Sequence, residues 1–249
     1  MQNFRILSYD VFRGILLIGM VVFHVLVNLT SFRFNQELFY WVPLGFVLFL
    51  GVILARFLTD KFLKKIKLAA KLLIIFLAFN IPNFLHNDIH FSDFIIGSSR
   101  LFSFEILMPM VLVIMLSLLL DKIKKSGLML CFLFPALIAL NYSGIDSYNL
   151  LFTIYGLIGY FVGKNFDLNG YAKNKLSFAA AILFSAVPFF IIQYFQLFDF
   201  IVVAQVLAMY FLCKFLLGNN HLMAELGRYS LFLYVAHIVL IKGFAIIVS

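Results

Sequence analysis

Four polar residues interrupt the first long apolar run of the chain, and their types suit proton-transfer or nucleophilic chemistry. Asp10, Arg13, His24 and Asn28 lie in the segment YDVFRGILLIGMVVFHVLVN. An ionisable side chain inside an apolar spanning helix is expensive unless it is paired or lines a wet cavity, so each one is a functional hypothesis. Histidine changes charge near neutral pH, so His24 is suited to exchange a proton or to attack as a nucleophile.

The spacing of these residues predicts that they share one face of a helix. At about 100° per residue, the step from Arg13 to His24 ends only about 20° beyond three full turns. The two side chains are then about 16 Å apart along the helix axis. Asp10 lies one turn before Arg13, and Asn28 lies one turn after His24. The alternatives are a core histidine satisfied by one hydrogen bond and an arginine that snorkels to the membrane surface.

A second polar set lies near the carboxyl end of the chain. Ser230, Tyr234 and His237 are spaced at i, i+4 and i+7, so they also share a helical face. Hydrogen bonds that hold a helical bundle together are an equal alternative for this set. Glu105 lies in FSFEIL of another apolar run, where it either orients His24, binds a substrate or lies at the membrane interface.

A metal site is not expected from the remaining candidate ligands. The segment from His86 to Arg100 offers histidine and aspartate side chains at His86, Asp88, His90 and Asp93. Its helical signal is weak, so a solvated polar loop is favoured over metal ligation. The two cysteines, Cys131 and Cys213, lie in apolar runs without a partner at metal-binding or disulfide spacing.

Helices in a lipid bilayer must position these residues. Of 249 residues, 64% are hydrophobic and only 12% are charged, and a soluble domain of this size has too little interior for that much apolar surface. Since each crossing needs about 20 apolar residues, about nine spans are expected, within roughly eight to ten. They are Val11–Ser31, Phe39–Leu58, Leu68–Leu85, Leu101–Leu120, Leu128–Asn141, Asn149–Gly163, Leu176–Phe195, Phe200–Leu217 and Ser230–Val248. The fifth is short and contains Pro135, so it is either bent or only partly spanning.

The basic residues predict the orientation of this bundle. The chain carries 19 basic and 11 acidic residues, for a net charge of +8. With a cytoplasmic amino terminus, only Arg33, Arg100 and Lys242 fall on the other side, as the positive-inside rule requires. Because the charge is spread over alternate loops, nucleic acid is not an expected partner. The predicted fold is an all-α polytopic transmembrane helical bundle that forms one domain over 1–249, with its oligomeric state left open.

Both ends of the chain resemble one known family. The pattern D-x-x-R-G with a histidine eleven residues after the arginine is similar to the first helix of the acyltransferase 3 superfamily of integral membrane acyltransferases. It also resembles the compact branch containing heparan-alpha-glucosaminide N-acetyltransferase. The ending ELGRYSLFLYVAHIVLI resembles the last helix of the superfamily. The matching residues are Asp10, Arg13, Gly14, His24, Leu226, Gly227, Ser230, Tyr234 and His237.

The resemblance implies transfer of an acyl group, most often acetyl, from cytoplasmic acyl-CoA. The acceptor would be a hydroxyl or amine of a carbohydrate or lipid-linked molecule, often on the far side of a bacterial plasma membrane. Acyl-CoA is then the co-substrate, no metal is predicted, and the reaction modifies carbohydrate of the cell envelope. The alternative is a non-catalytic relative that acts as a transporter, channel or scaffold subunit.

Roles for individual residues follow from that implication. His24 is expected to be the catalytic base or the acyl carrier, with Arg13 and Asp10 supporting it. Phosphates of the coenzyme would be held by basic groups, namely Arg13, Lys61, Lys64, Lys214 and Arg228. The acceptor would be bound by Asn28, Glu105, Tyr234 and His237.

Overall fold

The described residues of the computed structural model form helices joined by short turns. These are residues 6–29, 41–86, 106–122, 132–133, 135–136, 139–140, 148–168, 198–218 and 220–248, without the side chains of 27–29, 82–86, 198–201 and 242–248. Within them the helices are α1 (Leu7–Leu29), α2 (Trp41–Phe57), α3 (Phe62–His86), α4 (Leu107–Leu120), α5 (Tyr148–Asn165), α6 (Phe198–Leu217), α7 (His221–Arg228) and α8 (Ser230–Val248). This part of the chain contains no strand, so the all-α prediction is confirmed for it.

Two segments predicted as loops are partly helical. The basic segment Thr59–Lys67 turns at Asp60, whose φ of 60° is left-handed, and its residues from Phe62 onwards belong to α3. The segment before the last span contains α7, which Asn220 caps by accepting a hydrogen bond from the Met223 amide at 3.0 Å. The predicted spans follow apolar runs, and charged residues end such a run. Lysine and glutamate are nevertheless good helix formers, so the helix itself can continue through them.

The other described helices match predicted spans to within four residues at each end, apart from the start of α4, where 101–105 lie outside the described residues. The seventh predicted span lies outside the described residues, as does most of the fifth. The same holds for 87–105, which includes Glu105 and most of the segment considered for metal binding.

One described helix passes a test of length and composition for crossing a membrane. It is Leu7–Leu26 within α1, and a second passes if α7 and α8 as far as Ile241 form one bent span. Trp41–Phe57, Leu107–Leu120 and Val202–Leu217 are apolar but shorter. The count of nine spans and the cytoplasmic amino terminus therefore stay predictions.

The chain forms two compact units, the first from 1–46 and 169–249 and the second from 47–168. In the first unit, α1 packs against α6, α7 and α8. Tyr210 of α6 is fully buried there. Its ring meets Phe12 edge to face with centroids 5.7 Å apart, and its hydroxyl lies 3.2 Å from Ser8 Oγ. These contacts fix the amino-terminal half of α1. The prediction of a single domain over 1–249 stays a prediction.

Two glycines allow α1 and α7 to pack backbone against backbone. A Cβ atom at Gly227 would overlap the carbonyl oxygen of Asp10 and lie 3.0 Å from the Gly14 amide nitrogen. A Cβ atom at Gly14 would overlap the Met223 carbonyl oxygen. Small residues at such positions let helices approach closely, and this approach brings the carboxyl end of α7 to the first turns of α1.

The second unit contains α3, α4, α5 and most of α2. Its helices also meet at small residues, since a Cβ atom at Gly159 would overlap the Leu48 carbonyl oxygen. A buried ion pair joins α3 to the residue that follows α4, with Lys65 Nζ 2.8 Å from Asp121 Oδ2. Tyr160 of α5 donates a hydrogen bond to Asp121 Oδ1 at 2.6 Å. One carboxylate thus connects three helices of this unit.

Candidate functional site

Helix α1 is continuous across the polar residues that the sequence singled out. Asp10, Arg13 and His24 all lie within Leu7–Leu29, so their predicted common helix is confirmed. Asp10 is buried, and its Oδ1 lies 3.5 Å from Arg13 Nη1. The Arg13 side chain keeps 27% of its surface exposed. A buried carboxylate therefore accompanies a guanidinium that solvent still reaches.

Arg13 is also tied to another helix. Its Nη2 donates a hydrogen bond to Ser230 Oγ at 2.7 Å, and Ser230 is the first, buried residue of α8. Such a charge-assisted bond is stronger than one between neutral groups. A side chain that only snorkels to a membrane surface would not need this buried partner, so the contact favours a positioned arginine.

The position of Ser230 follows from the helix before it. The glycine contact described above holds α7 against α1, and the chain bends by 74° between α7 and α8. Tyr229 is the single residue between the two helices. The bend therefore starts α8 beside Arg13 and directs the rest of that helix along a new axis.

Further along the same two helices, the rings of His24 and His237 are in contact. Their centroids are 5.4 Å apart and their planes are tilted by 43°. The Tyr234 ring meets His237 with centroids 5.5 Å apart. The structure thus brings together His24 of the first predicted face and Tyr234 and His237 of the last, which lie more than 200 residues apart in the sequence.

His237 is buried and has a defined hydrogen-bonding state. It is 8% exposed, and its Nδ1 lies 3.1 Å from the Leu233 carbonyl oxygen. A carbonyl oxygen only accepts, so Nδ1 carries the hydrogen, and in a neutral ring Nε2 then carries the lone pair. Nε2 has no hydrogen-bond partner among the described residues. The arrangement can therefore accept a proton at a fixed, buried atom.

The basic residues predicted to hold coenzyme phosphates are divided between the two units. Lys214, in the last turn of α6, and Arg228, the last residue of α7, belong to the first unit with Arg13. Arg228 is half exposed and forms an ion pair with Glu225. Lys61 and Lys64 are exposed residues of the second unit, and Lys61 Nζ donates to the Phe57 carbonyl oxygen at 2.6 Å. Their role in binding coenzyme A stays a prediction.

Two predicted substrate residues cannot be placed at the site. Asn28 lies within α1, but its side chain is outside the described residues, and Glu105 is outside them altogether. Within the described part of the chain, no group of three or more histidine, cysteine or acidic side chains is arranged to hold a metal ion.

Sequence reasoning treated Lys65 only as a cytoplasmic topology signal, but its side chain is 0% exposed and pairs with Asp121. Helical spacing held the missing signal. Lys65, Ala69, Leu72 and Phe76 follow one another at intervals of three and four residues, and all four are buried. The lysine extends the buried stripe of α3 by one turn, whereas its neighbours Lys64 and Lys67 are exposed.

Comparison with known proteins places the chain in a family. No curated protein and no solved structure matches the chain. A family model described as an acyltransferase domain, Acyl_transf_3, matches residues 6–249, a range that includes both ends of the contact network between α1 and α8. Proteins of this family are membrane proteins, and the match supports acyltransferase activity. The chain belongs to the acyltransferase 3 family.

Proposed function

We propose that this protein is a membrane-embedded acyltransferase that uses cytoplasmic acyl-CoA, with acetyl as the preferred group. The acceptor is a hydroxyl or amine of a carbohydrate or lipid-linked molecule, and transfer across the membrane is compatible with the depth of His24 in α1. The contact between the His24 and His237 rings, on helices that Arg13 and Ser230 join, carries this proposal.

The chemistry asks little of the protein beyond position and a proton acceptor. A thioester is already activated, so the enzyme must align donor and acceptor, remove a proton from the acceptor and stabilise the oxyanion. His24 suits this task as a base or as an acyl carrier, because imidazole is both a proton acceptor near neutral pH and a nucleophile. Asp10 supports His24 indirectly, because its carboxylate forms an ion pair with the Arg13 guanidinium on the same helix.

Arg13 is suited either to bind the acyl-CoA donor or to hold the helices of the site in position. Asp10 and Ser230 contact two of its nitrogens, and a guanidinium has five N–H donors. A planar guanidinium suits the recognition of a phosphate or of the thioester carbonyl, because its N–H groups can contact two acceptor atoms at once. Lys214 and Arg228 belong to the same unit as Arg13, and they add positive charge for a coenzyme with several phosphates.

The membrane setting is part of the proposal. We infer a multi-pass arrangement of about nine spans with a cytoplasmic amino terminus in a bacterial plasma membrane. The basic residues support this orientation, since all but three of the 19 fall on one side of the predicted order of spans.

A coupled assay tests the proposed activity. Protein purified in detergent or lipid nanodiscs is given acetyl-CoA together with membrane lipid or carbohydrate acceptors, and both free thiol and acceptor mass are followed. We expect thiol release to depend on acceptor, and His24→Ala to lower the rate by at least about 100-fold. His221→Ala is the control, because that exposed histidine of α7 lies outside the site. Solute flux without any use of acetyl-CoA by wild type would instead support the non-catalytic alternative.

A further inference from the structure

The buried histidine of α8 has the features of a proton acceptor and not only of a packing residue. Its Nδ1–H bond to the Leu233 carbonyl uses one ring nitrogen within its own helix. The other nitrogen, Nε2, has no hydrogen-bond partner among the described residues although the residue is more than nine-tenths buried. Leaving a polar atom buried without a partner costs about 1 to 3 kcal/mol, so this position favours a donor at Nε2, either a substrate group or a water that the substrate displaces.

The neighbours of His237 place this nitrogen at the candidate reaction centre. The His24 ring lies within contact distance, with centroids 5.4 Å apart. The Tyr234 ring packs on His237 at 66° to its plane and limits how the imidazole can turn. The bond to Leu233 limits it further, since the ring cannot flip without losing that donor. His237 therefore keeps one tautomer, and the lone pair on its Nε2 keeps a fixed direction.

We propose that His237 is a second catalytic histidine, whose Nε2 accepts the proton of the acceptor group. His24 then acts as the proton donor to the departing thiolate, instead of as the base or acyl carrier considered above. This rests on the proposed acyltransferase function. The acceptor oxygen or nitrogen forms a bond to the acyl carbon as its proton moves to His237 Nε2. The carbon–sulfur bond of the thioester breaks, and protonated His24 gives its proton to the coenzyme thiolate. One proton then passes from His237 to His24 and restores the starting state, so atoms and charges balance.

This division of labour explains why two histidines on different helices lie in contact. A single imidazole must first take a proton at the acceptor and then deliver it at the thiolate. Two adjacent rings can face the two groups at once and exchange the proton between them. The Arg13 to Ser230 bond joins the same two helices nearer their cytoplasmic end as we orient them, so it holds the rings in register.

Substitution of His237 by asparagine separates the proton role from packing. The asparagine amide can replace Nδ1–H as donor to the Leu233 carbonyl, but it cannot accept a proton. We expect His237→Asn to lower kcat by about 100-fold or more, as for loss of a general base, with KM for acetyl-CoA within about threefold of wild type. His221→Asn, the same change at an exposed histidine of α7, should leave both constants unchanged.

A rescue experiment protects the inference from a folding artefact. His237→Ala should regain activity, by at least about tenfold, when free imidazole is added, because the small base can enter the space left by the ring. Size-exclusion profiles of the variants should match that of wild type, and each variant should unfold cooperatively above the assay temperature. A His237→Asn variant whose kcat stays within about threefold of wild type, or a folded His237→Ala variant that imidazole does not rescue, overturns the role of His237. A wild-type protein that never consumes acetyl-CoA would instead overturn the proposed function.

Discussion

Arg13 of α1 donates a hydrogen bond of 2.7 Å to the hydroxyl of Ser230, the first residue of α8. The bond joins residues from the two ends of the chain and holds together the helices that carry His24 and His237. An interaction of this kind acts on the reaction through geometry, so its loss should affect the rate more than coenzyme binding.

Ser230→Ala should lower kcat by about tenfold. A hydrogen bond to a charged group contributes about 1.5 to 3 kcal/mol, and its loss frees α8 to shift against α1. Acetyl-CoA turnover by the purified protein measures the effect. Ser117→Ala is a matched control, because Ser117 is also buried but its hydroxyl donates to the Ile114 carbonyl oxygen of its own helix, in the second unit. Equal activity of the Ser230→Ala and Ser117→Ala variants would contradict a positioning role for Ser230.

Gly227→Ala should destabilise the protein although it adds only one methyl group. The new Cβ atom would overlap the Asp10 carbonyl oxygen, which is backbone and cannot move aside alone. Overpacking of this kind costs about 1 to 3 kcal/mol, and we expect a lower thermal unfolding midpoint in detergent. Gly19→Ala is the control, since its Cβ atom would meet a Val42 methyl group at 3.1 Å and that side chain can adjust. If both variants melt at the wild-type temperature, the close packing of α1 on α7 is not a constraint.

The ion pair between Lys65 and Asp121 should be costly to break on one side only. Removing one partner leaves a buried charge without compensation, which destabilises proteins by about 3 to 5 kcal/mol. We expect Lys65→Met and Asp121→Leu each to lower the unfolding midpoint strongly, and the double variant to recover part of the loss. Lys67→Met, on the exposed face of the same helix, should have little effect. Fully additive losses in the double variant would argue against direct coupling of the pair.

Removing the cations proposed to bind the coenzyme should raise KM and leave kcat nearly unchanged. We expect Lys214→Gln and Arg228→Gln each to raise KM for acetyl-CoA by about three- to tenfold, since each would lose one contact to phosphate. The effect should shrink as salt is raised from 50 to 500 mM, because exposed charges are screened over about 10 Å at 0.1 M. Lys71→Gln, an exposed lysine of α3 outside the proposed site, is the control. A fall in kcat at constant KM would contradict a role of Lys214 and Arg228 in binding the coenzyme.

The common face of Asp10, Arg13 and His24 was predictable because it depends only on helical periodicity within one segment. The contact between His24 and His237 was not, since two polar faces on separate helices do not determine which residues meet. The Gly14 and Gly227 contact determines that register, and a glycine in sequence does not reveal its partner. Likewise α7 was missed, because a short helix stabilised by a cap and by packing on α1 has no long apolar run.

The single residue between α7 and α8 also sets the rotational phase of the last helix. A residue added or removed at Tyr229 would shift the sequence of α8 by one helical position, which is about 100° about its axis, while the glycine contact would keep α7 in place. Ser230 would then lose its contact with Arg13, and His237 would lose its contact with His24, although all four side chains would still be present. Relatives that work in the same way should therefore vary in the identity of this residue far more readily than in the length of the connection.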